Sequence, residues 1–142
     1  MSQRILEGIK VLDLTNVLSG PFTTLHLALL GAEVIKVENP KDGDLARKLG
    51  ILPELNKRLM GTSFIAQNCN KKSITLNTKS AEGKAILLRM AKDADVVVEN
   101  FRPGVMDRLG LGYKVLAAGN PGLVYCAISG FGQTGPDALN PA

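Results

Sequence analysis

Short apolar runs alternate along this chain with segments in which apolar residues recur at helical spacing. The run around Val97 contains three consecutive valines, which is typical of a strand buried on both faces of a parallel sheet. The alternation predicts an α/β fold with a mostly parallel sheet and helices on both faces. The strand-like runs are residues 9–14, 33–38, 73–76, 95–99 and 123–129.

Helix signals lie between these runs. Gly20 and Pro21 precede the first helix, because glycine permits a tight turn and proline suits the first helical position. Ser80 is a good N-cap for a second helix. Residues 39–61 are polar and irregular, and we expect a long loop with one short helix. The expected helical segments are residues 22–30, 62–67, 80–91, 105–108 and 114–118.

The first βαβ unit superficially resembles a dinucleotide-binding unit. Glu38 lies about twenty residues after the glycine turn, where such a fold places its ribose-binding acid. However, residues 16–21 read N-V-L-S-G-P and lack the G-x-G-x-x-G glycines that let a pyrophosphate approach the backbone. We therefore do not expect nicotinamide or flavin binding.

Loops with ligand-binding composition follow the central and last strands. Residues 100–104 combine an amide, an aromatic ring, a cation and two turn residues, and residues 130–136 form a glycine-rich loop. In an open α/β sheet, ligands bind outside the carboxyl ends of the strands. We therefore expect the site at that edge.

Composition indicates one soluble domain, or most of one. The 142 residues are 45% hydrophobic and 21% charged. The apolar runs are too short to span a bilayer, and residues 1–10 have no signal-peptide core, so no membrane association is expected. Cys69 and Cys126 lack metal or redox spacing and are interpreted as structural thiols in a reducing, cytoplasmic setting.

The positive charge of the chain favours an anionic small molecule over nucleic acid. The net charge is +4, but the lysines and arginines are dispersed and aromatic residues make up only 4% of the chain. Nucleic-acid binding domains concentrate basic residues in a stripe with interleaved aromatic rings, and this chain has no such stripe. We therefore predict no nucleic-acid partner.

Several long motifs in a fixed order carry a resemblance to a known family. They are L-E-G-I-K-V-L-D-L-T, S-G-P-F, L-G-A-E-V-I-K-V-E, N-C-N-K-K-S-I-T-L, A-D-V-V-V-E-N-F-R-P-G-V-M-D-R-L-G and S-G-F-G-Q-T-G-P. With them the chain resembles the class III coenzyme A transferases of the formyl-CoA and carnitine CoA transferase type, to which the 2-methylacyl-CoA racemases are related.

The resemblance implies a Rossmann-like large domain, a small domain and an interlocked homodimer. Residues 1–142 are similar to the N-terminal portion of the CoA-binding large domain only. The small domain and the C-terminal remainder have no counterpart in this sequence, which we interpret as an N-terminal fragment.

The resemblance also implies that CoA lies along the carboxyl ends of the strands. Some relatives carry a basic residue in place of Asn39, which weakens the expectation of an adenine contact there. CoA is anionic, and Lys71, Lys72, Lys79, Arg102 and Arg108 are all expected in or beside loops at one edge. The implied CoA-binding residues are Val17, Leu18, Ser19, Asn39, Leu76, Asn77, Thr78, Lys79, Asn100, Phe101, Arg102 and Arg108.

Class III transferases use an aspartate nucleophile, and the resemblance implies that it lies shortly after Ala142. The substrates would be an acyl-CoA and a carboxylic acid, with no permanently bound cofactor and no metal. We expect no catalytic residue in these 142 residues and no turnover by the isolated chain. Asp137 is the weak alternative, while His26 is not expected to be a base. Asp13, Glu38 and Glu99 lie in or at the ends of strands, where structural hydrogen bonds are expected.

Two other functions remain open from the sequence. One is the related racemase, which removes and returns a proton beside the thioester with an acid/base pair. The other is a non-catalytic CoA-binding module that is completed by oligomerisation.

Overall fold

A five-stranded, all-parallel sheet forms the centre of the protein. The computed structural model describes residues 4–140. The strands are β1 (Lys10–Asp13), β2 (Glu33–Glu38), β3 (Lys72–Thr75), β4 (Val96–Glu99) and β5 (Val124–Ala127), in the order β3-β2-β1-β4-β5. The chain builds outward from β1 to β3 and then crosses to β4 on the other side of β1. The gap between β1 and β4 is therefore the topological switch point of the sheet.

Helices cover both faces of the sheet, which confirms the predicted α/β class. Side-chain alternation along the strands builds both interfaces. Leu12 and Val97 pack on one face with Leu87 and Leu116, whereas Val11 and Val98 pack on the opposite face with Ala28. The helices are α1 (Ser19–Leu29), α2 (Pro53–Lys57), α3 (Thr62–Asn68), α4 (Ala81–Lys92), α5 (Val105–Arg108) and α6 (Tyr113–Gly119).

Two differences between the predicted and the observed elements affect how the chain enters α1 and leaves the first βαβ unit. Helix α1 begins at Ser19, so Pro21 lies inside its first turn, where no backbone N–H is needed for the helical ladder. Residues 39–61 contain a 3₁₀ helix at Leu45–Lys48 as well as α2, where one short helix was expected. Gly20 is required for close approach, because a Cβ there would lie 2.3 Å from Thr15 Cβ.

Lys71 is enclosed beneath α1, and its predicted role as a free cation for CoA is wrong. Its Nζ donates to Asp13 Oδ2 at 3.0 Å, Thr24 Oγ1 at 2.7 Å and the Pro21 carbonyl oxygen at 2.9 Å. The Lys71 and Asp13 side chains are 1% and 0% exposed. Burial lowers the pKa of Lys71, and the Asp13 carboxylate opposes that effect. The segment N-C-N-K-K therefore joins β3 to β1 and α1.

Lys72 lies at the wrong end of the sheet for the expected site. It is the first residue of β3, and its Nζ pairs at 2.5 Å with Glu33, the first residue of β2. Both side chains are largely exposed at the amino end of the parallel strands. The prediction that Lys72 serves the carboxyl edge is therefore also wrong.

Neighbouring Lys71 and Lys72 make a matched pair for a stability test. We predict that Lys71→Met lowers the free energy of unfolding by about 3–5 kcal/mol, because Asp13 is left as a buried carboxylate without its cation. Lys72→Met should cost less than about 1 kcal/mol, since its ion pair is exposed. Urea unfolding followed by circular dichroism measures both values. Equal, small losses for the two variants would contradict the buried network.

Candidate functional site

Two clefts lie side by side at the carboxyl edge of the sheet and share Asn16 and Phe101 as a common wall. The narrow cleft, of about 190 Å³, is bordered by the segments that follow β1, β2, β3 and β4. The wide cleft, of about 620 Å³, is bordered by the segments that follow β1, β4 and β5. Because the clefts meet at the switch point, one elongated ligand can extend through both.

The narrow cleft has an apolar floor and a polar rim. Leu14, Val37, Leu87 and Leu111 contribute to the floor and belong to the buried core or pack against it. The exposed side chain of Lys79 supplies a cation at the rim. Of the residues expected to bind CoA, the narrow cleft contains Asn39, Leu76, Thr78, Lys79 and Phe101.

The wide cleft contains the first loop, which we define as residues 15–18, and the start of α1. The expected residues in it are Val17, Leu18, Ser19, Asn100 and Phe101. Across the cleft stand Ile128, Ser129 and Gly130. Gly130 begins the glycine-rich loop that the sequence indicated, whereas Ile128 and Ser129 were not selected. The Ser129 Oγ atom is buried and has no hydrogen-bond partner within the described residues. Ile128 and Ser129 could have been found from the sequence, because they come directly after β5 and ligands bind outside the carboxyl ends of parallel strands.

Three expected residues stand apart from the two clefts. Arg102 borders a small neighbouring cleft together with Ser129. Arg108 is exposed at the end of α5 and extends back toward Gly104. Asn77 is exposed, and its Oδ1 accepts a hydrogen bond from the Lys79 backbone N–H at 3.1 Å, which shapes the turn before α4.

Asn100 holds the first loop through a reciprocal amide pair. The Asn16 N–H donates to Asn100 Oδ1 at 2.8 Å, and Asn100 Nδ2 donates to the Asn16 carbonyl oxygen at 2.8 Å. This side chain ties the end of β4 to the end of β1 across the switch point. Its contribution to the site is therefore the placement of the loop.

The next residue of the first loop, Val17, has a left-handed backbone conformation. Its φ is +68°, whereas the other non-glycine residues of positive φ in residues 4–140 are Leu59 and Asn70. Val17 alone among them is β-branched, and this conformation costs such a residue about 1–3 kcal/mol. Contacts from the surrounding residues must stabilise this conformation, because the loop on its own would not adopt it.

Glu38 is fully engaged by the segment that follows β2. Its two carboxylate oxygens accept from Arg47 Nε at 2.6 Å and Arg47 Nη2 at 2.7 Å, and they also accept from Ser73 Oγ and the Asp44 N–H. Burial alone would raise the pKa of Glu38, but these hydrogen bonds outweigh it and lower the pKa to about 2. Glu38 is therefore a structural anchor for the segment that follows β2.

Glu99 fixes the backbone at Phe101. Glu99 Oε2 accepts from the Phe101 N–H at 2.7 Å, and Oε1 accepts from the Tyr125 hydroxyl at 3.3 Å. Burial raises the pKa of Glu99, and burial together with Glu99 raises the pKa of Tyr125 well above its usual value. The carboxylate thus orients the aromatic residue that separates the two clefts.

The other acids and the histidine have structural or surface positions. Asp13 is buried and accepts hydrogen bonds from Thr15 and Thr24. Asp137 is exposed, and its Oδ1 accepts from Asn140 Nδ2. His26 is exposed on α1 beside Phe22. The acids of strands β1, β2 and β4 therefore have the structural roles that the sequence indicated.

The linings of the two clefts indicate which ligand chemistry they suit. Within residues 4–140, no cluster of three or more His, Cys, Asp or Glu side chains could hold a metal ion. Across the same residues, no helix is long and apolar enough to cross a membrane. A cationic rim, an aromatic wall and an apolar floor together suit an elongated anionic molecule with an uncharged arm.

Comparisons with known proteins give this geometry a family context. The family model described as CoA-transferase family III matches residues 6–142. The chain is 52% identical over 136 residues to the acetyl-CoA:oxalate CoA-transferase of Acetobacter aceti, covering 96% of this chain and 34% of that protein. It is 48% identical over 135 residues to the succinyl-CoA:glutarate CoA-transferase of Mus musculus, covering 95% and 30% respectively.

A solved structure agrees with the fold. The crystal structure of a CaiB/BaiF family protein from Brucella suis matches with a TM-score of 0.87 and 40% sequence identity, covering 99% of this chain and 37% of that chain. The chain thus spans about a third of the length of these relatives.

The depressed pKa of Glu38 predicts how the free energy of unfolding falls at acid pH. The folded pKa of about 2 lies below the ordinary value of 4.5, so Glu38 stabilises the fold fully above pH 4.5 and this contribution is lost as the pH falls toward 2. At about 1.4 kcal/mol per pKa unit, the loss approaches about 3 kcal/mol.

We expect Glu38→Gln to lower stability near neutral pH and to flatten its decline in acid. Glu54→Gln is the control, because Glu54 is 81% exposed in its ion pair with Lys57. Urea unfolding followed by circular dichroism, at a series of pH values from neutral to about 2.5, measures the slope. If the free energy of unfolding falls equally steeply with acid pH in the Glu38→Gln variant and in the parent, the depressed pKa of Glu38 is refuted.

Proposed function

The chain belongs to CoA-transferase family III, and from that membership we propose that it is the N-terminal portion of the CoA-binding large domain of an enzyme that moves CoA between an acyl-CoA and a carboxylic acid. The small domain and the C-terminal remainder of the large domain lie outside these residues in this proposal. The active form would be an interlocked homodimer. The coverage of about a third of the relatives' length supports the assignment to one part of a longer architecture.

The observation that carries the proposal is the junction of the two clefts at Asn16 and Phe101. CoA consists of a phosphorylated adenosine and a long, uncharged pantetheine arm that ends in a thiol. We place the nucleotide in the narrow cleft, the arm across Phe101 and the thiol or thioester in the wide cleft. In this orientation the anionic phosphates lie near the Lys79 cation at the rim of the narrow cleft.

Each expected residue has a role in this orientation. Asn39 lies nearest the adenine, Leu76 and Thr78 line the nucleotide, and Asn77 shapes the turn that carries Lys79. Arg102, which precedes α5, and Arg108, which ends it, are both exposed and add positive potential around the site. Val17, Leu18 and Ser19 border the thioester end, together with Asn100 across the switch point. Ser129 joins this set as a residue that lines the wide cleft directly after β5.

The proposed chemistry is transfer through an aspartyl enzyme intermediate. The carboxylate attacks the thioester carbonyl, the carbon–sulfur bond breaks, and a mixed anhydride forms as CoA thiolate leaves. CoA thiolate then attacks the aspartyl carbonyl, which releases the acyl group as its carboxylate and gives an enzyme thioester. The incoming acid is converted by the reverse steps. We assign the nucleophile to an aspartate outside residues 1–142, so the isolated chain binds CoA without turning it over.

Titration of the chain with CoA tests the binding part of this proposal. We expect Lys79→Ala to raise the Kd about tenfold or more, because a charge-assisted contact contributes about 1.5–3 kcal/mol. Phe101→Ala should weaken binding by a similar factor through lost contact with the arm. Isothermal titration calorimetry measures both.

Lys57→Ala is the matched control for this titration. Lys57 is an exposed cation on α2 and is paired with Glu54 outside both clefts. It should leave the Kd within twofold of the parent value. Equal loss in Lys57→Ala and Lys79→Ala would show that net charge alone determines the affinity, and absence of CoA binding by the parent chain would refute the proposal.

A further inference from the structure

A buried ion pair stands directly behind the first loop. Lys36 lies on β2, and Asp44 lies just before the 3₁₀ helix; their side chains are 1% and 0% exposed, with Lys36 Nζ 2.9 Å from Asp44 Oδ2. Neither side chain lines the narrow or the wide cleft. The pair is therefore not a direct ligand contact.

Both members of the pair contact the backbone of the first loop. Lys36 Nζ donates to the Thr15 carbonyl oxygen at 2.7 Å. Asp44 Oδ1 accepts from the Val17 N–H at 3.0 Å and also from the Ala46 N–H at 2.9 Å. The two charged groups thus hold Thr15 and Val17, the residues on either side of Asn16. The backbone N–H and carbonyl oxygen of Asn16 are held by the Asn100 side chain.

A fourth side chain completes the restraint on the first loop. When the Gln67 amide is oriented to suit its neighbours, Nε2 donates to the carbonyl oxygens of Val17 and Leu18, each at 3.0 Å. Val17 therefore has both its N–H and its carbonyl oxygen occupied while it remains at a φ of +68°. An unfavourable backbone conformation persists only when its surroundings over-determine it.

We propose that Lys36 and Asp44 are positioning residues that hold Val17 in its left-handed conformation and thereby shape the wide cleft for the pantetheine arm of CoA. This inference rests on the proposed CoA function of the site. Removal of the pair lets Val17 relax to an ordinary backbone conformation, which moves Leu18 and Ser19 at the rim of the wide cleft. Asn16 stays held by Asn100, so the narrow cleft keeps its lining and the nucleotide half of CoA is unaffected.

The test replaces the pair with apolar residues of similar size, as Lys36→Met with Asp44→Leu. Replacing both members avoids an unpaired buried charge, and such replacements are often tolerated by the fold. Circular dichroism and the unfolding transition verify that the variant is folded. The matched control is Lys72→Met with Glu33→Gln, which removes the exposed ion pair that links β2 to β3.

The readout is the ratio of two affinities. Calorimetry with CoA and with adenosine 3′,5′-bisphosphate, its nucleotide half, should show that the double variant weakens CoA binding by about tenfold while the nucleotide Kd stays within twofold. The control pair should change neither Kd. Equal weakening of both ligands, or an unchanged CoA Kd, overturns the positioning role. A parent chain that binds neither ligand instead contradicts the proposed function itself.

Glycine rescue separates loop conformation from a general loss of structure. Glycine adopts positive φ at no steric cost, so adding Val17→Gly to the double variant should restore part of the lost CoA affinity. Hydrogen exchange of the Val17 amide, measured without any ligand, should be faster in the double variant than in the parent. A triple variant that binds CoA no better than the double variant overturns the mechanism.

Discussion

The structure depends on two buried lysine–aspartate pairs on the α1 face of the sheet. Lys71 with Asp13 and Lys36 with Asp44 bring two positive and two negative charges into the interior, and all four side chains are at most 1% exposed. Buried charges are tolerated only when they are paired and hydrogen-bonded. The two lysines also donate to backbone carbonyl oxygens and to the Thr24 hydroxyl. Their common target is the segment from Thr15 to Thr24, which comprises the first loop and the first turns of α1.

The location of the site follows from this constraint. Strand order places the switch point beside β1, and the buried pairs determine how the chain leaves β1 there. Asn100 extends the same restraint to β4, and Glu99 sets the backbone of Phe101. The two clefts thus have walls held by interior contacts, which is how a binding surface made of loops becomes preorganised.

The fold could be predicted from the sequence because strands and helices are signalled within short segments. Three valines, a Ser80 cap and alternating elements are sufficient to predict a parallel α/β sheet, and the carboxyl-edge rule predicted where the loops would gather. The roles of Lys71 and Asn100 could not be read in this way, since their partners Asp13 and Asn16 are 58 and 84 residues away in sequence. Lys72 was misplaced because its basic character does not reveal which end of a parallel strand it occupies.

The most direct measurement is a crystal structure of the chain with CoA bound. The phosphates should lie at Lys79, the pantetheine arm should cross the wall formed by Asn16 and Phe101, and the thiol should point toward Ser129. The first loop should keep Val17 at positive φ. A further cleft is lined by Glu99, Tyr113 and Tyr125. CoA bound there, or at the amino end of the strands, would contradict the assignment.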